Sequence, residues 1–130
     1  MKLDLTAEIL SLLEAGGKYN PKTKSYVLHN RNGDPHREDG PAIVGLVSGL
    51  LEYMQNGRHH RLDGPAITDF NGYEFWYKDG LKHREGGPAA IYANGAQEWY
   101  SNGKIHRLDG PAVIGADGHT EWWEDGIFIG

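Results

Sequence analysis

There is no cysteine in this chain of 130 residues. Disulfides, thiolate metal ligands and a thiol nucleophile are excluded at once. Long apolar runs are missing too. None reaches the length that spans a bilayer, and the opening MKLDLTAEIL carries an acid where a secretory leader would be apolar. Positive charge is in short supply, with thirteen Lys and Arg against eighteen Asp and Glu and a net charge of −5. Nucleic acids and anionic membranes reward clustered cations, so neither is expected as a partner. These absences point to a protein of the cytoplasm. Motifs that carry chemistry are missing as well: there is no HExxH, no His-x-His and no phosphate-cradling Gly-x-x-x-x-Gly-Lys. Glu52, Glu98 and Glu121 read as exposed strand positions rather than a matched acid and base. No Ser-His-Asp order stands out from the repetition around it. No catalytic residue, no metal site and no cofactor is expected.

What is plentiful is glycine, nineteen residues, and aromatic rings, four Trp, seven Tyr and three Phe. Both fall into register with a repeat. HREDGPA begins at His36, HRLDGPA at His60 and again at His106, and HREGGPA at His83, so the motif histidines are 24, 23 and 23 residues apart. Gly33, Gly57, Gly80 and Gly103 precede each histidine by three, and Gly126 continues the series. Gly49, Gly72, Gly95 and Gly118 mark the middle of each unit. Self-similarity at this period is the mark of stacked supersecondary units that cannot bury their surface alone.

Each unit reads as β-hairpins. Asn94-Gly95 lies between two apolar-rich runs, the pattern of a two-residue hairpin turn. That register sets Ala90 opposite Trp99 and Ile91 opposite Glu98. Asn102-Gly103 reads the same way and sets Tyr100 opposite Ile105. Alternation then puts Tyr53, Trp76, Trp99 and Trp122 on one face and Met54, Tyr77, Tyr100 and Trp123 on the other. Residues 5–15 place Leu5, Ile9, Leu12 and Leu13 on one helical face before Gly16-Gly17. A hairpin turning at Asn20-Pro21 follows. The fold expected is mainly β: a single extended, twisted antiparallel meander of hairpin repeats about 23 residues long, residues 18–130, capped by an N-terminal α-helix within residues 1–17. The whole forms one domain. At the other end GIFIG supplies an apolar edge strand, 127–129, suited to pairing with a second copy or another protein.

Aromatic, Asn-Gly and His positions recurring at this period resemble the MORN repeat over residues 30–126, in the variant form with HRxDGPA seen in bacterial and viral proteins. The resemblance implies stacked β-hairpins and a non-catalytic interaction role; for a viral chain the compartment would be the host cytoplasm. The usual pattern follows the Asn-Gly turn with Gly-x-Gly, which is absent, and lipid binding is not carried over.

Two readings of the heptad compete. As a joint, Asp-Gly-Pro is turn chemistry, Arg and Asp form a ladder of ion pairs between adjacent units, and His donates a ring N–H to a spare carbonyl. As a platform, His36, His60, His83 and His106 form one row and Arg37, Arg61, Arg84 and Arg107 the next. Beside Trp76, Trp99 and Trp122 they would hold a partner or a small anionic, nucleotide-like ligand, as in small viral proteins that sequester host signals. The third copy is an internal test. Gly86 replaces the acid there, which argues against a required ligand and leaves Arg84 without its local partner.

Overall fold

The computed structural model describes residues 5–130; residues 1–4 of the expected cap lie outside them. Ten short strands form one antiparallel sheet in which every strand pairs with the next of the set. The run begins with Lys18–Asn20, Ser25–Val27, Ile43–Gly45 and Leu50–Glu52. It continues with Ile67–Thr68, Glu74–Phe75, Ala90–Ile91, Gln97–Glu98, Val113–Ile114 and Thr120–Glu121. The meander of hairpins read from the repeat is therefore present. Each unit adds a second, smaller hairpin beside this spine: Met54–Gln55 with Arg58–His59, Tyr77–Lys78 with Leu81–Lys82, Tyr100–Ser101 with Lys104–Ile105, and Trp123–Glu124 with Ile127–Phe128. A single residue, Tyr53, Trp76, Trp99 or Trp122, links spine to side hairpin in each unit.

The same dipeptide makes two different turns. At Asn102-Gly103 both residues have positive φ, 49° and 85°, the mirror-image turn whose twist suits a two-residue hairpin. Tyr100 pairs with Ile105, as the spacing predicts. At Asn94-Gly95 only the glycine has positive φ, 90°. The loop there has three residues, closed by Tyr92 N–H on the Ala96 carbonyl at 2.9 Å, while Asn94 Oδ1 accepts the Ala96 N–H at 3.0 Å. The expected register is thus off by one: Ala90 pairs with Glu98 and Ile91 with Gln97. The correction has a physical cause. Asn94 spends its side chain on the turn, which selects an ordinary turn followed by a left-handed glycine. The opening hairpin turns through residues 21–24, with Asn20 paired to Ser25.

The helix Thr6–Glu14 ends at Gly16, whose φ of 103° carries the chain away, and Gly17 N–H returns to the Leu12 carbonyl. Its inner face supplies Leu5 and Leu12, which with Val44 form the buried apolar cluster; Ile9, Tyr26, Leu28, Leu51 and Phe70 pack around it. Leu13, expected on this face, is exposed on the flank. The core thus sits at the N-terminal end, and the later units bury small residues instead: Ala42, Ala66, Ala89 and Ala112 have no exposed surface.

Candidate functional site

Three of the four heptads are closed loops tied at both ends to one aromatic residue, and Leu28 holds that place for the first. In the second unit His60 N–H donates to the Tyr53 carbonyl at 3.0 Å, and Tyr53 N–H donates to the Ala66 carbonyl at 2.7 Å. Trp76 does the same for His83 and Ala89, and Trp99 for His106 and Ala112. Seven residues is the length of this loop, which explains why the motif recurs whole.

Inside the loop lies the arginine, flat on the ring that closes it. The guanidinium carbons of Arg61, Arg84 and Arg107 stand 3.9, 3.9 and 4.0 Å from the ring centroids of Tyr53, Trp76 and Trp99. On the other side is the backbone of the heptad glycine. A Cβ at Gly64, Gly87 or Gly110 would come within 2.7, 2.8 or 2.7 Å of that carbon. These glycines are required by close approach and not by a left-handed conformation, which they do not adopt. Nη1 donates to the carbonyl of Pro65, Pro88 or Pro111 at 3.1, 3.1 and 3.0 Å. Nε of Arg61 and Arg107 donates to Asp63 and Asp109, two residues on, and Arg37 does the same to Asp39. The expected ladder of ion pairs between units is corrected: each pair stays within its own loop. The Arg37 guanidinium beside Asp39 holds that carboxyl below its usual range. Arg37 has the helix over it and donates to Ser11 Oγ at 2.6 Å, leaving its side chain 7% exposed.

The histidines join one unit to the next. Nδ1 of His36, His60, His83 and His106 accepts the backbone N–H of Asn56, Asp79, Asn102 and Asp125 at 2.9 to 3.0 Å. Those four donors are the left-handed first residues of the side-hairpin turns. The expected role is reversed, since the ring accepts and does not donate through this nitrogen. Two backbone bonds complete each joint. The turn glycine gives its N–H to the carbonyl before the histidine, as Gly80 does to His59. The arginine gives its N–H to the neighbouring strand, as Arg61 does to Tyr77.

Between successive loops lie open clefts of about 510, 350 and 440 Å³. The first holds Arg37, Tyr53, His60 and Arg61, the second Arg61, Trp76, Lys78, His83 and Arg84, and the third Arg84, Trp99, His106 and Arg107. The histidine, arginine and tryptophan rows named from the sequence therefore do share one surface, with His36 and Trp122 as exceptions, since neither lines these clefts. No guanidinium lies over the Trp122 ring, which is 45% exposed. Among the described residues no group of three His, Asp or Glu is placed to hold a metal, and no helix is long and apolar enough to cross a membrane.

Alternation puts the glutamates next to these rings on the other side of the strands. They are half-buried and bonded, not exposed as expected. Glu98 Oε1 accepts the hydroxyls of Tyr92 at 2.8 Å and Tyr100 at 3.2 Å. Glu52 meets His59 Nε2 at 2.8 Å, and Glu121 accepts from Trp123 Nε1 at 2.9 Å. Tyr92 meets Tyr73 and Phe75 edge-on nearby, and Lys82 lies over Phe75 and Tyr100. Glu98 with Tyr100 two residues on was the available signal for this network.

Burial and then the Glu98 charge push the Tyr100 hydroxyl up to about 12, and Tyr92 is raised further by the same causes. A phenol held neutral in the fold favours the folded state until pH rises past its ordinary value near 10. Between there and about 12 the unfolded chain releases a proton that the fold retains, so stability falls with rising pH. Replacing Glu98 by Gln should lower the Tyr100 midpoint toward the ordinary value in an ultraviolet absorbance titration. An unchanged midpoint would leave burial as its sole cause.

No family model, curated protein or solved structure matches the chain.

Proposed function

We propose that this chain is a non-catalytic, MORN-like binding module of the cytoplasm whose partner is a protein, a second copy of itself included. The observation that carries this reading is the way the heptad spends its polar atoms. The four histidines, the three aspartates and the arginines paired with those aspartates are engaged in holding the loops and joints together. Beside them the surface exposes apolar groups: Leu62 and Leu108 at loop tips, 70% exposed each, and Trp122, Ile127, Phe128 and Ile129 together at one end. An apolar group beside a strand edge favours association with another chain. Placing Lys at Phe128 is expected to lower the solution mass of a self-associating chain to that of a monomer. A wild-type chain already monomeric at high concentration would exclude self-association and leave a different protein as partner.

A small anionic, nucleotide-like ligand is the second reading, favoured by the arginine-lined clefts. The packing opposes stacking of a base on Tyr53, Trp76 or Trp99, because a guanidinium already covers one face of each ring. A thermal-shift panel of nucleotides separates the two readings. A ligand at a hundred times its dissociation constant stabilises by about 2.7 kcal/mol, and a module for proteins alone gives no shift.

A further inference from the structure

Three of the four heptads hold an anion of their own. Asp39, Asp63 and Asp109 place Oδ1 3.0 to 3.2 Å from Nε of the arginine two residues before. The third unit has Gly86 at that position, and Arg84 has no carboxylate at ion-pair distance among the described residues. In the rest of its contacts Arg84 matches Arg61 and Arg107. It lies 3.9 Å above Trp76, a Cβ at Gly87 would stand 2.8 Å from its guanidinium carbon, and Nη1 reaches the Pro88 carbonyl at 3.1 Å. Ring, glycine and carbonyl thus hold Arg84 in the shared pose, with Nε directed where the other loops keep a carboxylate. That place faces the open cleft which Arg84, Gly86 and Gly87 line. Gly86 turns away with φ of 80°, a conformation that Asp39, Asp63 and Asp109 do not adopt.

The surroundings suit an incoming carboxylate. Lys78 shares the cleft on one side and Arg107 shares the cleft on the other. The acids nearby are Glu85, 92% exposed and 3.8 Å from His83 Nε2, and Asp109, which lines the cleft with Arg107 and pairs with its Nε at 3.1 Å. An arginine desolvated on both faces and anchored at one nitrogen binds an oxyanion at its free edge without further loss of side-chain freedom. On the loops to either side, Leu62 and Leu108 project 70% exposed.

We infer that Arg84 is the docking point for an acidic side chain of a partner protein, an Asp or Glu whose carboxylate takes the place Gly86 leaves empty, with apolar neighbours covering Leu62 and Leu108. The inference deepens the protein-binding reading and names what the partner presents. The chemistry of the occupant is that of the three sister loops, where the fold supplies a carboxylate itself.

The test follows the arginine Nε–H resonances of the nitrogen-15-labelled full chain during titration with N-acetyl-aspartate amide at constant ionic strength, chloride serving as control. The Arg84 signal is expected to move and saturate while those of Arg61 and Arg107 stay. Gly86→Asp should abolish the response, its loop turning to the backbone of its sisters. Asp109→Gly should transfer a response to Arg107, which keeps the test intact if the first variant folds poorly. An Arg84 signal that does not move, arginines that all move alike, or a folded Gly86→Asp chain that still responds would overturn the inference. Inorganic phosphate saturating at an about tenfold lower concentration than the aspartate probe would overturn it too, in favour of a phosphoryl ligand. Probe binding needs no partner chain, so this outcome and that of the solution-mass experiment are independent.

Discussion

Replacing Leu12 by Ala is expected to destabilise the protein by about 2–5 kcal/mol, the range for a buried leucine whose cavity closes only partly. Leu12 has no exposed surface and meets Leu5 and Val44 in the buried apolar cluster. Elsewhere the array buries alanines and keeps its rings half-exposed, so little else compensates for a cavity at that end. Leu13, one residue on and 42% exposed, is the control, and its truncation should cost less than about 0.5 kcal/mol. Denaturant unfolding followed by tryptophan fluorescence measures both. Hydrogen exchange adds the location: in an array where each unit touches only its neighbours, loss of a cap opens the end first. Amides of Ser25–Val27 and Ile43–Gly45 should lose protection before those of Val113–Ile114. A Leu12→Ala chain as stable as wild type would show that the helix is ornamental to the sheet.

Ala89→Leu is expected to cost about 1–3 kcal/mol through overpacking. Ala89 has no exposed surface, and its two backbone groups are committed in opposite directions. Its N–H donates to the Glu98 carbonyl at 2.9 Å, across the Asn94-Gly95 hairpin, and its carbonyl accepts from Trp76 at 2.7 Å, across the heptad loop. A larger side chain must push apart elements joined by those bonds. Ala93→Leu, at the exposed tip of the neighbouring turn, should change stability by less than about 0.5 kcal/mol. The comparison holds chemistry constant and varies place alone, so equal effects would remove packing as the reason that every heptad ends in alanine.

Much of this architecture can be read from residue order. The period, the glycine series and the Asn102-Gly103 turn lead to the meander, and Leu5, Ile9 and Leu12 lead to the helix that packs on it. The Gly86 exception leads to Arg84. These succeed because turn formation and helical periodicity are local: the residues that decide them lie within a few positions of one another. Asn94-Gly95 failed for an instructive reason. Its dipeptide is identical to Asn102-Gly103, and the difference lies in how Asn94 uses its own side chain.

The recurrence of the heptad was written into the chain, because each unit closes the same seven-residue loop. The folded molecule alone settled what each member of that loop does. Histidine accepts because a left-handed turn residue from the following unit points an N–H at Nδ1. Glycine is small because a guanidinium lies against it, and arginine lies there because a ring eight residues earlier supports it. Contacts of this kind depend on which groups adjoining strands bring to one point in space. A linear order names the residues that return; which of them will meet is decided only when one unit is laid against another.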